Sequence, residues 1–281
     1  MQIRVRIRFK SVQRTVVSSP GASPHSSDPG WSVFERACRR SEFYARASSN
    51  NDCIRQRLPV DLDFYFRHHR QFHNPAAAPA RPLPLHAPWP ASSRTVAASS
   101  WFAVEGALNL KSPTCAQLSE FAPEALAGPP AALAAIARAI RQNRLKLPAL
   151  RYGAVVFESL TGPLLEPALG RELWDTFQAP VIRQVRGFQG ELLAIECEGR
   201  QGFHTDPAAG YWEVERSSRN RLLVTSFLNL LYPVARLRTR LAGELDWSVC
   251  SCGQSHPLIR NLRSWEASSA RPRQLALAAA S

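Results

Sequence analysis

Four soft ligands fall into two short segments of this chain. Cys197 and His204 lie in Glu196-Cys197-Glu198-Gly199-Arg200-Gln201-Gly202-Phe203-His204, and Cys250 and Cys252 flank Ser251 just ahead of Gly253. Three thiolates and one imidazole complete the tetrahedron that zinc takes in closed structural sites, where no position is left for water or substrate. Such a site would hold a fold together and catalyse nothing. A second reading stands beside it: buried free thiols and a surface histidine, because Cys-x-Cys is tighter than the usual two- to four-residue gap. Six cysteines in 281 residues are too few for a disulfide scaffold. In a reducing compartment, spaced thiols with a histidine lean toward metal. Another group, His68, His69 and His73, follows the aromatic run Phe64, Tyr65 and Phe66. Two histidines at i and i+4 can share a helix face and bind a metal, and the alternative is an exposed basic, aromatic patch.

The elements that must position these ligands read as an alternation of helices and strands. Pro129 and Pro130 stand where a first helical turn tolerates proline, and Leu133, Ile136, Ala137 and Ile140 then recur on one face. The compact apolar run at 152–157 reads as a buried strand, 164–177 as a second amphipathic helix and 180–185 as another strand. Segments 192–196, 211–215 and 222–227 read as strands joined by short turns, so the sheet is expected to continue in antiparallel pairs. The class is α/β. Composition divides the chain into a poorly ordered basic leader (1–32), a small helical island (33–73), a Pro/Ala/Ser-rich linker (74–104), an α/β core (105–265) and a tail (266–281). A fragment starting near residue 105 is accordingly expected to fold.

A hydrophobic content of 45% is enough for a sizeable core. The sequence has no run of about 18 apolar residues, and its start alternates arginine with aliphatics instead of presenting a signal-peptide stretch. A cytoplasmic protein without a membrane partner is expected. The net charge of +13 and pI near 10.4 raise nucleic acid as a partner. Against that, the lysines are only Lys10, Lys111 and Lys146, and the arginines are scattered without a dense tract.

From about residue 121 to 263 the chain resembles the adenylate-forming (AMP-binding) superfamily, specifically relatives of phenylacetate-coenzyme A ligase. Phe121-Ala122-Pro123-Glu124-Ala125-Leu126-Ala127-Gly128-Pro129-Pro130-Ala131-Ala132-Leu133 is similar to that family's P-x-x-L-x-G-x-P-S-x-L segment. Glu158-Ser159-Leu160-Thr161 resembles its strand-end glutamate motif, and 190–197 resembles the segment after its Y-G-x-T-E signature. Leu223-Val224-Thr225-Ser226-Phe227 with Pro233-Val234-Ala235-Arg236-Leu237-Arg238-Thr239 is similar to L-V-x-T-S … P-x-I-R-Y-R-T-G-D. The resemblance implies part of an adenylate-forming N-terminal domain, with a mixed sheet flanked by helices. It implies a structural zinc on Cys197, His204, Cys250 and Cys252, since members often carry a cysteine and histidine followed by Cys-x-Cys-Gly. It also implies two-step chemistry: a carboxylic acid attacks the α-phosphate of ATP with magnesium, and coenzyme A then displaces AMP. Glu158, Glu191 and Arg236 are the residues it implies for nucleotide or substrate. Either Gln189 or Glu191 aligns with the signature glutamate, and of the two only Glu191 is anionic.

The chain also departs from that pattern. The expected phosphate loop aligns with 92–100, which contains no glycine to adopt the positive-φ turns that aim several N–H groups at a phosphate. Arg240-Leu241 stands where Gly-Asp would hold the ribose, and the sequence after Arg263 leaves no room for the C-terminal lid that brings a catalytic lysine. The expectation is a degenerate relative of these ligases. The alternatives are a non-catalytic, zinc-stabilised binding protein, paired with a complementary chain that supplies the missing parts, and a basic nucleic-acid binder.

Overall fold

The computed structural model describes residues 29–47, 58–78 and 81–265. Most of the leader expected at 1–32 and the whole tail expected at 266–281 lie outside the described residues. One twelve-stranded mixed sheet organises the rest.

The parallel half runs β3 (Leu108–Leu110), β2 (Thr95–Ala98), β4 (Ala125–Gly128), β5 (Gly153–Ser159) and β6 (Val181–Arg186). It is built from short strands, of which β2, β4 and nearly all of β5 are buried, while β3 at the edge is largely exposed and β6 carries Arg183, Gln184 and Arg186. Two helices cover one face. α5 (Pro130–Arg141) starts on a proline and presents Leu133, Ile136 and Ala137 to the sheet, and α6 (Pro167–Phe177) presents Leu173 and Phe177. A seven-residue helix, α4 (Cys115–Phe121), starts at a capping box made by Thr114 and Gln117 and leads into β4. The expected strand-helix-strand unit is present as β5, α6 and β6, paired in parallel register from Ala154↔Val181 to Ser159↔Arg186.

At β6 the pairing turns antiparallel and continues through β7 (Leu192–Glu196), β8 (Phe203–Thr205), β12 (Leu258–Ser264), β11 (Leu237–Asp246), β10 (Arg221–Ser226) and β9 (Gly210–Glu215). This half curls back on itself. The indole N–H of Trp212 in β9 donates to the carbonyl of Leu193 in β7 at 3.3 Å. Gly210 permits the approach, because a Cβ there would lie 2.9 Å from the Thr225 carbonyl and 3.2 Å from Leu193.

The N-terminal helices close the curl. The helical island expected at 33–73 is entered by two helices, α1 (Pro29–Arg39) and α2 (Glu42–Ala47), separated where the Ser41 hydroxyl donates to the Cys38 carbonyl at 2.8 Å. Trp31, Phe34, Tyr44, Tyr65 and Phe72 share one core with Leu193, Trp212, Leu222, Val224 and Phe227. β1 (Val60–Asp61) adds to Leu237–Arg238 of β11 in parallel, ahead of α3 (Leu62–Arg67). His69–Phe72 is a short 3₁₀ turn, so His69 and His73 do not share an α-helical face. Both rings lie against Tyr232 instead, at 6.1 and 5.3 Å, as an exposed aromatic patch.

The stretch at 74–104 has the composition of a linker, yet its residues Thr95–Ala98 form β2 between β3 and β4, buried along its length. Among the described residues no helix is long and apolar enough to cross a membrane.

Among the contacts that join island and sheet is a buried bond from the Ala235 N–H to the Tyr44 hydroxyl at 2.8 Å. Tyr44→Phe strips that N–H of its acceptor without opening a cavity. The expected loss is about 1–3 kcal/mol in urea unfolding of the whole chain. No change would mean the helices contribute little to the cooperative unit.

Candidate functional site

The first candidate centre is assembled by two hairpin connections. β7 ends at Glu196, and the next residue, Cys197, opens a tight return in which its N–H donates to the Gly202 carbonyl and the Arg200 N–H to its own carbonyl, both at 2.8 Å. That return brings His204 back beside Ile195 on β8, and β8 then pairs with β12 through His204↔Leu258. Cys250 and Cys252 come from the β11–β12 connection. There the Cys250 N–H donates to the Gln254 carbonyl at 3.0 Å and the Gly253 N–H to the Cys250 carbonyl at 2.8 Å. Gly253 has φ +85°, and nothing lies within 4 Å of where a Cβ would stand, so its requirement is conformational and not spatial.

The four ligand atoms lie within 4.8 Å of one another. Cys197 Sγ is 3.5 Å from Cys250 Sγ, and His204 Nε2 is 3.2 Å from Cys252 Sγ. The Nδ1 of His204 lies 3.4 Å from the His256 carbonyl, the kind of outer contact that fixes a ligating imidazole and leaves Nε2 inward. Burial holds His204 below its ordinary imidazole value and so in the neutral form that binds metals. Cys252 is pushed up to about 11, first by burial and then by the Cys250 and Cys197 thiols beside it. Three thiols this close cannot all ionise unless a cation joins them. The donor set therefore fits a divalent metal.

The residues implied for nucleotide or substrate are placed differently. Glu158 is 0% exposed. Its carboxylate takes the Arg183 Nε at 2.6 Å and the Leu165 N–H at 3.0 Å, so it is neither a solvated strand end nor an open pocket wall. Burial raises its proton affinity, against the pull of Arg183. Glu191 is also buried, and its two oxygens accept from the Ser226 hydroxyl at 2.7 Å and the Gln189 N–H at 3.0 Å. Gly187 makes room for it, since a Cβ there would overlap the Glu191 carboxyl. Arg236 pairs with Glu213 at 3.1 Å, and its N–H donates to the Thr225 hydroxyl at 2.9 Å. Glu191 and Arg236 thus attach to successive residues of β10, Ser226 and Thr225, while Glu158 belongs to a separate ion pair. Leu241, aligned with the ribose aspartate, is buried in β11.

Sequence reading missed the strongest polar feature on the sheet. Arg186 is 3% exposed at the end of β6, and its guanidinium donates to the carbonyls of Gly190 at 2.7 Å, Leu85 at 2.9 Å and Pro84 at 3.2 Å. Gln184 adds donations to the Leu85 and His86 carbonyls at 2.7 and 3.0 Å. Burial lowers Arg186 to about 10. Two polar residues at i and i+2 on a buried strand were the available signal. Beside them Phe102 packs on Phe157 at 5.2 Å and sits directly over Gly190, where a Cβ would collide with its ring. The 83–86 segment and Phe102 therefore cover the carboxyl ends of β5 and β6, where open α/β sheets take ligands. The hydroxyls aligned with a phosphate loop are spent locally: Ser93 bonds Thr95 at 3.0 Å, and Ser99 accepts from the Trp101 N–H at 3.2 Å.

No family model matches the chain, and no curated protein matches it. Solved structures do. 2-Hydroxyisobutyryl-CoA ligase in complex with 2-HIB-AMP and CoA in the thioesterification state aligns with a TM-score of 0.56 at 14% identity, covering 84% of this chain and 67% of that one. An open conformation of the same ligase aligns with a TM-score of 0.55 at 14% identity, over 82% and 67%. The chain shares their fold, over about two thirds of their length.

Because burial raises the Glu191 carboxyl above its ordinary 4.5, the folded chain keeps a proton that the unfolded chain releases. Stability contributed by that proton is complete at low pH and is lost as pH rises from the unfolded value through the folded one. Glu191→Gln removes this dependence. As pH rises from about 4 to about 7 its unfolding free energy should shift relative to the parent in the variant's favour. A difference that stays constant with pH in urea unfolding would contradict a buried, proton-holding carboxyl.

Proposed function

We propose that this chain is a phenylacetate-coenzyme A ligase-like relative of the adenylate-forming ligases that keeps a zinc-stapled scaffold and does not adenylate carboxylic acids by itself. The observation that carries this reading is the commitment of the carboxylates. Magnesium and a triphosphate need oxygens with free lone pairs facing a cleft. Each oxygen of the buried Glu191 already accepts one hydrogen bond, from Ser226 and from the Gln189 N–H, and Glu158 is closed by Arg183 and Leu165. Phe102 and the clamp on Pro84, Leu85 and His86 cover the strand ends beside them. Releasing two buried carboxylates and a buried guanidinium to admit nucleotide would cost several hydrogen bonds at once, each about 1–3 kcal/mol when its partner is left unsatisfied.

Zinc is the metal that three thiolates and an imidazole favour in a closed site. Cys197, His204, Cys250 and Cys252 would hold it, and with all four positions filled it supplies a crosslink between the β7–β8 and β11–β12 connections and no Lewis-acid step. The acid- and coenzyme A-binding chemistry of the aligned ligases is, on this reading, ancestry.

Calorimetric titration of the purified chain with ATP and magnesium tests it. The expected result is no saturable heat up to about 1 mM nucleotide, a free energy no better than about −4 kcal/mol. Saturable micromolar binding accompanied by AMP formation from any carboxylic acid would overturn the loss of activity.

A further inference from the structure

A cavity of about 350 Å³ opens between α1, residues 74–78, Arg81 and Leu83, and the turns that follow β6 and β10. It lies at the small end of the range of about 300–1,000 Å³ that ligand pockets span. Arg36 in the last turn of α1 and Arg40 just past its end line it four residues apart, and Arg81 joins them. Among the described residues none of these three cations meets a carboxylate in an ion pair. Inside, the amide Nε2 of Gln189 is buried with no hydrogen-bond partner. The one acid in the lining, Glu191, already has both oxygens committed to Ser226 and to the Gln189 N–H. The charged side chains of the cavity are thus three cations and one hydrogen-bonded acid, the Asn74 amide oxygen accepts from the Ala76 N–H, and leucines of the turn after β10, Leu230 among them, make its wall apolar.

We propose that this cavity binds a small organic anion, a carboxylate or phosphate monoester on a short aliphatic body. An oxyanion placed between Arg36 and Arg40 would remove the repulsion of like charges at i and i+4. It would take charge-assisted hydrogen bonds from their guanidinium groups. It would also give the orphaned Gln189 amide an acceptor, ending the cost of a buried unsatisfied donor. The aliphatic body would cover the leucine wall. The inference goes beyond the proposed function, since it needs neither a metal nor a nucleotide.

The test titrates the full chain with hexanoate, hexyl phosphate and hexan-1-ol, which share one body and differ in headgroup. Saturable binding is expected for at least one anion and not for the alcohol, and the anion that binds identifies the headgroup. The double variant Arg36→Gln, Arg40→Gln, at exposed positions where substitutions leave folding nearly unchanged, should weaken that binding at least about tenfold. Gln189→Leu should weaken it less while leaving the thermal midpoint unchanged or raised. No saturable heat from either anion up to about 10 mM, equal binding of hexan-1-ol, or full binding by the double arginine variant would overturn the proposal. The outcome is separable from the ATP titration: nucleotide binding that survives in the double variant would speak against the proposed function alone.

Discussion

Three thiols and an imidazole within 4.8 Å set a condition that much of the antiparallel half depends on. β8 is only three residues long, yet it joins β7 to β12, with two residue pairs to the latter. Ladder bonds over so short a strand give a weak seam, and the ligand cluster sits directly at its end. Ionising the thiols makes them repel, and leaving them protonated wastes the geometry, so a divalent cation resolves both costs at once. A structural zinc contributes on the order of 10 kcal/mol of apparent folding free energy, comparable to the whole net stability of an ordinary domain. On the proposed reading the antiparallel half would depend on such a metal.

A second constraint decides what the scaffold can do. Arg186 and Gln184 point from β6 into a layer formed by residues just ahead of β2 in sequence, and they donate to the carbonyls of Pro84, Leu85 and His86. A guanidinium this buried is tolerable only when its N–H groups all find acceptors. Its hydrogen bonds therefore lock the covering layer down as firmly as they solvate the cation. What this layer covers is the strand-end region where an open sheet takes ligands, which links the folding of an unpromising, proline-rich stretch directly to the functional reading.

The parts of this molecule that could be read from its residues are those governed by local pattern. Pro130 at a first helical position with Leu133, Ile136 and Ala137 behind it defines α5, and the apolar run of β5 followed by α6 and β6 defines a parallel unit. Cys197, His204, Cys250 and Cys252 stood out as a candidate metal site because soft donors at short spacing have few other uses, and the fold brings the four together. What local pattern could not supply was set by partners distant in sequence. β2 is buried because β3 and β4 flank it, whereas its own neighbours are prolines and serines. Glu158 meets Arg183 across the β5–β6 register, and Arg236 meets Glu213 through the order of β9, β10 and β11. A charge in a sequence does not disclose whether its partner is a ligand or another side chain. In the same way, the cavity beside Arg36 and Arg40 exists only once α1 docks on the turns after β6 and β10.

The central claim, that a metal held by three sulfurs and one nitrogen completes this fold, is tested most directly by X-ray absorption at the zinc edge on protein purified without chelator. The account predicts a first shell of about three sulfurs near 2.3 Å and one nitrogen near 2.0–2.1 Å. A folded, monodisperse chain with no bound metal, or a shell made only of nitrogen and oxygen, would contradict it.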